Sequence, residues 1–442
     1  MKNRLQIIIL ALVISLIALN VFGIQRFPKP EFDSGHKIPA VQVSKIQPAV
    51  FEFIDLGLFI LCMSLVTWMV IKKRSRKGVF WISVFSLLYF GFYRNGCICP
   101  VGSVQNISMA IFNPGYTIPL TAIAFFIIPL GFTLFFGRTF CAGVCPLGAI
   151  QDLFAFRPVS LKPWIRYLFG LIPFVYLGLA VLYSATATDF IVCRYDPFVG
   201  FFRNNGSSMM FLIGGILLLT GIFIARPYCR FFCPYGVLLN LVSRVSRRHL
   251  SISPAGCINC RLCENSCPYD AIDKPTGLEV KNDNRELVKK LIVYWFVTPL
   301  LVVLLGWTVS KYHEDLALVN FKVRLAREMM AQDKADSNVA PPIEVTTFRS
   351  SGVSNEALYT EAASILEKFR KGSWYLGGFI GLVLGMTLAR LTIFRYKDDY
   401  TANKGLCLSC TRCVDYCPVK VGSVDGAEVI PITAVSEKQE VL

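Results

Sequence analysis

Histidine is nearly absent from this chain: there are three in 442 residues, His36, His249 and His313. No Cys-x-x-Cys-His occurs, which excludes covalently attached c-type haem. A bis-histidine b haem on His36 and His313 is set aside as well, because neither lies within an apolar run deep enough to cradle a macrocycle. His249, next to Arg247 and Arg248, reads as a solvated residue. Charge is scarce too, at 17% of residues, and unbalanced: 29 acidic against 45 basic side chains, a net +16. No RNA- or DNA-binding pattern accompanies that excess, so nucleic acid is not an expected partner. No small-residue cleavage site follows Lys2, Arg4 and the apolar run 5–22, so this run reads as an uncleaved signal anchor.

Apolar residues are what the chain has in quantity. They make up 54% of it, with a mean hydropathy of +0.53, outside the range of ordinary soluble domains. Runs long enough to cross a bilayer recur at 5–22, 53–71, 78–94, 116–136, 167–185, 208–225, 291–310 and 374–393. The expected fold is an all-α polytopic membrane protein of about eight transmembrane helices, carrying a small cytoplasmic α+β dicluster ferredoxin-like domain. The densest basic cluster, Lys72 to Lys77, belongs on the cytoplasmic side of a bacterial inner membrane. Alternation then puts the N-terminus, 137–166, 226–290 and 394–442 inside, and 23–52, 95–115, 186–207 and 311–373 outside. The thirty-five phenylalanines and seventeen tyrosines fit lipid-facing bulk and interfacial belts.

The expected organisation runs in six parts. Residues 1–52 form an anchor helix and outer segment, 53–250 a membrane domain, and 251–290 the first half of the ferredoxin-like domain. Residues 291–393 form a transmembrane hairpin whose outer loop, 311–373, carries amphipathic segments at roughly 314–332 and 354–371. Residues 394–427 supply the second ferredoxin half, and 428–442 a polar tail.

Cysteine, in contrast to histidine, occurs sixteen times. Cys257-x2-Cys260-x2-Cys263-x3-Cys267-Pro268 recurs 150 positions later as Cys407-x2-Cys410-x2-Cys413-x3-Cys417-Pro418. In this spacing three thiolates hold one [4Fe–4S] cluster and the fourth ligates the neighbouring one. One cluster is therefore expected on Cys257, Cys260, Cys263 and Cys417, and a second on Cys407, Cys410, Cys413 and Cys267. Four-cysteine zinc sites split into two CxxC pairs with a long spacer, which this spacing does not match. Electron transfer is the implied chemistry.

Seven further cysteines fall in four related settings. Cys97-Ile-Cys99-Pro100-Val-Gly102, Cys141-x3-Cys145-Pro146-Leu-Gly148 and Cys229-x3-Cys233-Pro234-Tyr-Gly236 share a Cys-Pro-x-Gly core. In the fourth, Cys193-Arg-Tyr-Asp196-Pro197, an aspartate replaces the second cysteine. Cys141, Cys145, Cys229 and Cys233 are expected together on the cytoplasmic side, enough thiolates for a third iron–sulfur cluster. A Cys-x3-Cys spacing would place both sulfurs on one side of a helical turn, with the proline opening the next helix. On the outer side Cys97, Cys99 and Cys193 could hold a further iron or iron–sulfur centre, with Asp196 or Cys62 as a fourth ligand. A disulfide or redox switch is the alternative there, and Cys62 reads more simply as a buried small hydrophobe. Arg94 and Arg138 flank two of the copies, as cluster-tuning charges or as snorkelling span ends.

With its Cys-x3-Cys-Pro pairs preceding a dicluster ferredoxin run, the chain resembles the NapH/NosR-type family of polytopic membrane iron–sulfur (polyferredoxin-like) proteins. The resemblance covers roughly 78–270 and 400–420, most specifically Gly137–Asp152 and Arg226–Gly236. It implies cluster-binding roles for Cys141, Cys145, Cys229, Cys233 and the eight ferredoxin cysteines. It also implies electron transfer to or across the membrane toward an extracytoplasmic reductase or flavoprotein. Only about 30 residues follow the first span, where the nitrous-oxide type carries a large flavin-binding domain. Three readings are compatible with this: a conduit between cytoplasmic clusters and an exported acceptor, a quinol dehydrogenase subunit, and a maturation or redox-maintenance factor for an exported metalloenzyme. In each the chain is an electron-transfer component in membrane lipid, meeting a cytoplasmic electron donor or acceptor rather than acting as a stand-alone catalyst.

Overall fold

The computed structural model describes residues 49–96, 100–156, 158–252, 257–276, 284–334, 342–350, 352–392, 397 and 399–419. The expected first span, the C-terminal tail, Cys97 and Cys99 lie outside the described residues.

The chain is helical almost throughout, as lipid requires of a backbone with no water to satisfy it. Helix α1 (Ala49–Trp68) runs on through a π turn (Met69–Lys73), and α2 (Arg76–Ser86) through another (Leu87–Tyr93). Then come α3 (Pro100–Phe112), α4 (Leu120–Phe136), the short α5 (Thr139–Gly143) and α6 (Pro146–Phe154). Next are α7 (Pro163–Phe169), α8 (Ile172–Ala185), α9 (Ile191–Tyr195), α10 (Pro197–Arg203) and α11 (Ser208–Thr220). The membrane domain closes with α12 (Pro227–Phe231) and α13 (Pro234–Ser243). The first ferredoxin half holds α14 (Leu262–Asn265) and β1 (Ile272–Asp273). A hairpin comes next, from α15 (Asn284–Lys311) through α16 (His313–Ala317), α17 (Phe321–Lys334) and α18 (Ile343–Ser350) to α19 (Asn355–Thr392). The second ferredoxin half adds β2 (Thr401–Ala402) and α20 (Arg412–Asp415).

Among the described residues, four helical stretches are long and apolar enough to cross a membrane: Val50–Lys73, Trp164–Ala185, Val288–Lys311 and Asn355–Leu391. They cover the runs expected at 53–71, 167–185, 291–310 and 374–393. The runs at 116–136 and 208–225 appear as the shorter apolar helices Leu120–Phe136 and Ser208–Thr220. The amphipathic segment expected at 354–371 is not a separate surface helix. It continues without a break into the last span, because nothing between Asn355 and Thr392 interrupts helix formation.

Two packing devices position the rest. In the α15–α19 hairpin Gly377, Gly381 and Gly385 recur every fourth residue and let the backbones touch, since a Cβ on Gly381 would stand 2.6 Å from the Leu301 carbonyl oxygen. The hairpin thus returns the chain to the side it left. There β1 and β2 pair antiparallel, Ile272 with Ala402 and Asp273 with Thr401, joining the two ferredoxin halves. Thr276 N–H to the Lys397 carbonyl (2.9 Å) and Asn403 N–H to the Ala271 carbonyl (2.8 Å) extend that seam.

Candidate metal centres

The two ferredoxin runs fold alike. Asn259 and Arg261 have φ of 52° and 59°, and Ser409 and Thr411 have 53° and 60°, so each run makes the same pair of left-handed steps before its short helix. Cys257, Cys260, Cys263 and Cys417 line one small cavity, and Cys267, Cys407, Cys410 and Cys413 line another. Both sets cross between the halves, as cross-ligation requires. Backbone N–H groups aim at the sulfurs, Ala271 to Cys267 and Ser409 to Cys407, each at 3.4 Å. Burial, then neighbouring thiols, pushes Cys407 up to about 12, and burial likewise takes Cys263 and Cys267 up to about 11. Such thiols must release protons to bind iron.

The membrane-domain pairs converge as well. Burial and then the approach of Cys229, Cys141 and Cys233 raise the Cys145 thiol well above its ordinary value. Each pair straddles a helix break: Cys141 lies in α5 and Cys145 caps α6, Cys229 lies in α12 and Cys233 caps α13. The two sulfurs of a pair therefore do not share one helical turn, because Pro146 and Pro234 each open a new helix immediately after the second cysteine. The cap position gives each proline-adjacent thiol a helix N-terminus, and Gly236 N–H reaches the Cys233 sulfur at 3.3 Å.

Arginines cross between the copies, three residues ahead of Cys141 and Cys229. A Cβ on Gly148 would stand 3.0 Å from Arg226 Nη1, and one on Gly236 would stand 3.5 Å from Arg138 Nη2. Each Cys-Pro-x-Gly glycine thus clears room for the other copy's guanidinium. Arg226, 1% exposed, donates to the Cys141 carbonyl and, from Nε, to Asp152 at 2.6 Å, while Tyr269 Oη also donates to Asp152 at 3.1 Å. Burial pushes the Asp152 carboxyl up, but Arg226 outweighs it and leaves it below the usual range. Arg138, buried and without a carboxylate partner, donates to the Gly405 carbonyl at 3.1 Å and faces the Cys141 sulfur at 3.8 Å. It spans from the four-thiol site to the loop that carries Cys407. Arg76, read as part of a topological charge cluster, instead lines a small cavity with Asp152, Tyr269 and Cys410.

His249 is not solvated. Burial, with Lys404 nearby, lowers it to about 4, because it packs beside Gly137 where the membrane domain meets the ferredoxin loop. Arg94 pairs with Asp55. Cys62 is 3% exposed within the apolar core. Asp196 is fully engaged, accepting from Phe198 N–H at 2.9 Å, from Val199 N–H and from Tyr228 Oη, which removes it as a free ligand. That last bond also joins the segments that carry Cys193 and Cys229 through one tyrosine. Helix α11 has 13 residues, about 20 Å of rise, so the loops around it fold inward. Gln105 and Gln151 each lie five residues past the proline of their copies, Pro100 and Pro146, and the sequence alone assigns them no role. Gln151 accepts from Tyr228 N–H at 3.0 Å and donates to the Cys229 sulfur at 3.2 Å.

None of the fourteen described cysteines is in a disulfide. Among the described residues no three His, Cys, Asp or Glu converge closely enough for a single metal ion. Paired thiols around small cavities, with N–H donors and buried cations, fit the wider ligand spread of a cluster. This fold and donor set define an iron–sulfur electron-transfer protein built on membrane-spanning helices. Family models described as "4Fe-4S binding domain" match residues 118–166 and 206–253, which hold both Cys-x3-Cys pairs, and 250–273. NirI of Paracoccus denitrificans is 28% identical over 54% of this chain and 37% of its own length. NosR, a regulatory protein of Stutzerimonas stutzeri, is 27% identical over 45% of this chain and 29% of its own. MauN, a methylamine utilization ferredoxin-type protein of P. denitrificans, is 26% identical over 34% and 54%. The chain thus spans about half or less of each of these three relatives. No solved structure matches. The chain thus carries 4Fe–4S binding domains and is similar to NirI, NosR and MauN, in line with the NapH/NosR-type resemblance.

Proposed function

We propose that this protein is a membrane electron conduit. Its cytoplasmic face takes electrons from a ferredoxin, flavoprotein or dehydrogenase, and its outer face delivers them to an exported reductase or flavoprotein. The reading includes eight spans, a bacterial inner membrane and a cytoplasmic ferredoxin-like domain. Cys257, Cys260, Cys263 and Cys417 hold one [4Fe–4S] cluster, and Cys407, Cys410, Cys413 and Cys267 the other. Cys141, Cys145, Cys229 and Cys233 hold a third, and Cys97, Cys99 and Cys193 supply a terminal site. The clusters, when bound, supply one-electron chemistry at each stage.

The observation that carries this reading is Arg138, which contacts both the Gly405 carbonyl and the Cys141 sulfur. One buried side chain therefore separates the ferredoxin loop from the four-thiol site. A bilayer core is about 30 Å thick, so intermediate stations are needed, and in this reading the Cys-Pro copies supply them. Arg138 and Arg226 also offset the negative charge that four buried thiolates bring.

The test uses full-length protein in sealed proteoliposomes, with reduced flavodoxin outside and ferricyanide enclosed. Wild type is expected to reduce the enclosed oxidant, and Cys145→Ser to lose that activity while keeping the ferredoxin-type clusters. A wild-type protein with reduced clusters and no transfer to the lumen removes the conduit.

A further inference from the structure

The four-thiol site contains a device that recurs beside Cys193. Gln151, on α6, uses both ends of its amide: Oε1 accepts from the N–H of Tyr228, and Nε2 donates to the sulfur of the next residue, Cys229. On α3, Gln105 stands the same five residues past its opening proline. Its Oε1 accepts from the N–H of Val192 at 3.0 Å, and the next residue is Cys193. Gln105 is 0% exposed, and its Nε2 has no hydrogen-bond partner. Gly102, one turn earlier on the same face, is so close to Cys193 that a Cβ there would stand 3.2 Å from the sulfur.

A buried amide N–H without an acceptor costs about 1–3 kcal/mol. A neutral thiol is a weak acceptor, whereas an ionised, metal-bound sulfur is a strong one. At the Gln151 site the acceptor is in place; at the Gln105 site the donor waits beside the matching cysteine.

We propose that Gln105 and Cys193 form a second cofactor half-site on the plan of Gln151 and Cys229, which holds an iron–sulfur cluster through the Cys193 thiolate. Gln105 is a positioning residue that fixes the Val192–Cys193 backbone and donates to the ligating sulfur. The inference deepens the conduit reading, on which its terminal site rests, and it excludes Asp196 from the ligand set, since that carboxylate is held by two backbone N–H groups and Tyr228. The same Tyr228 precedes Cys229, so the two half-sites are joined by one side chain.

Full-length protein purified anaerobically would be compared as wild type, Cys193→Ser, Gln105→Glu and Cys229→Ser, by iron and acid-labile sulfide per chain and by redox-titrated EPR. Cys193→Ser is expected to lose iron, sulfide and one signal, and that signal should persist in Cys229→Ser. Gln105→Glu keeps the acceptor for Val192 and replaces the donor with a negative charge, so it should retain the iron and lower the midpoint potential of that signal alone. Unchanged iron and signals in Cys193→Ser overturn the proposal, as does zinc in place of iron. An unshifted potential in Gln105→Glu overturns it even if Cys193→Ser fails to fold. Unchanged iron in Cys229→Ser instead counts against the four-thiol site of the conduit.

Discussion

At the scale of single residues, the arginines decide whether four thiols can be packed together. Arg226 is buried to 1% exposure and adopts a left-handed backbone, φ 51°, to reach Asp152 and the Cys141 carbonyl. A non-glycine residue in that region costs about 1–2 kcal/mol, so the contacts must offset it. They join three parts of the chain, because Asp152 also accepts from Tyr269, two residues past Cys267. Arg226→Leu leaves the Asp152 carboxylate and the Cys141 carbonyl without their donor. Removing one partner of a buried ion pair costs about 3–5 kcal/mol. The variant should show a lower thermal midpoint in detergent, and Asp152→Asn combined with Arg226→Leu should recover part of the loss. Equal midpoints in Arg226→Leu and wild type would mean that the pair contributes nothing.

At the scale of elements, short helices broken by proline do what one long helix cannot. Pro146 and Pro234 end one turn and open the next, placing Cys145 and Cys233 at helix N-termini where N–H groups face the sulfur. The hairpin works oppositely, as two long helices in close backbone contact. Its glycine rhythm makes Gly381 a sensitive position on α19, with the Leu301 carbonyl oxygen 2.6 Å from a Cβ placed there. Gly381→Val must push the helices apart, at a cost of about 1–3 kcal/mol for overpacking. The damage should surface far from the substitution, since the hairpin sets where residues 399–419 return. Cluster loss on mild heating, monitored by the bleaching of visible absorbance, should occur at a lower temperature than in wild type, whereas Gly215→Ala, which meets nothing within 4 Å, should not change it.

At the scale of the whole molecule, the ligand spacings were the most legible part of the sequence, because a cluster fixes thiol spacing more strictly than lipid fixes helix length. Hydropathy marked the apolar runs but not the helix bounds within them or their contacts, such as the 13-residue α11 in the run 208–225 and the Tyr228–Asp196 bond between two copies. Gln105 and Gln151 were illegible because a lone polar residue in an apolar helix has no local signal; only the fold shows which sulfur each one faces. The deepest consequence of the architecture is that residues far apart in sequence share one site. Cys417 lines the cavity of Cys257, Cys260 and Cys263, not that of Cys413, four residues before it. Cys417→Ser should therefore perturb the same EPR signal as Cys260→Ser and leave the signal lost in Cys407→Ser. The same reasoning assigns Cys267→Ser to the Cys407 group. If Cys417→Ser instead matched Cys407→Ser, each run would hold its own cluster and the β1–β2 seam would be a mere contact. Matching with Cys260→Ser would make the hairpin part of the ligand scaffold, since it lies in the chain between the two halves that build each site.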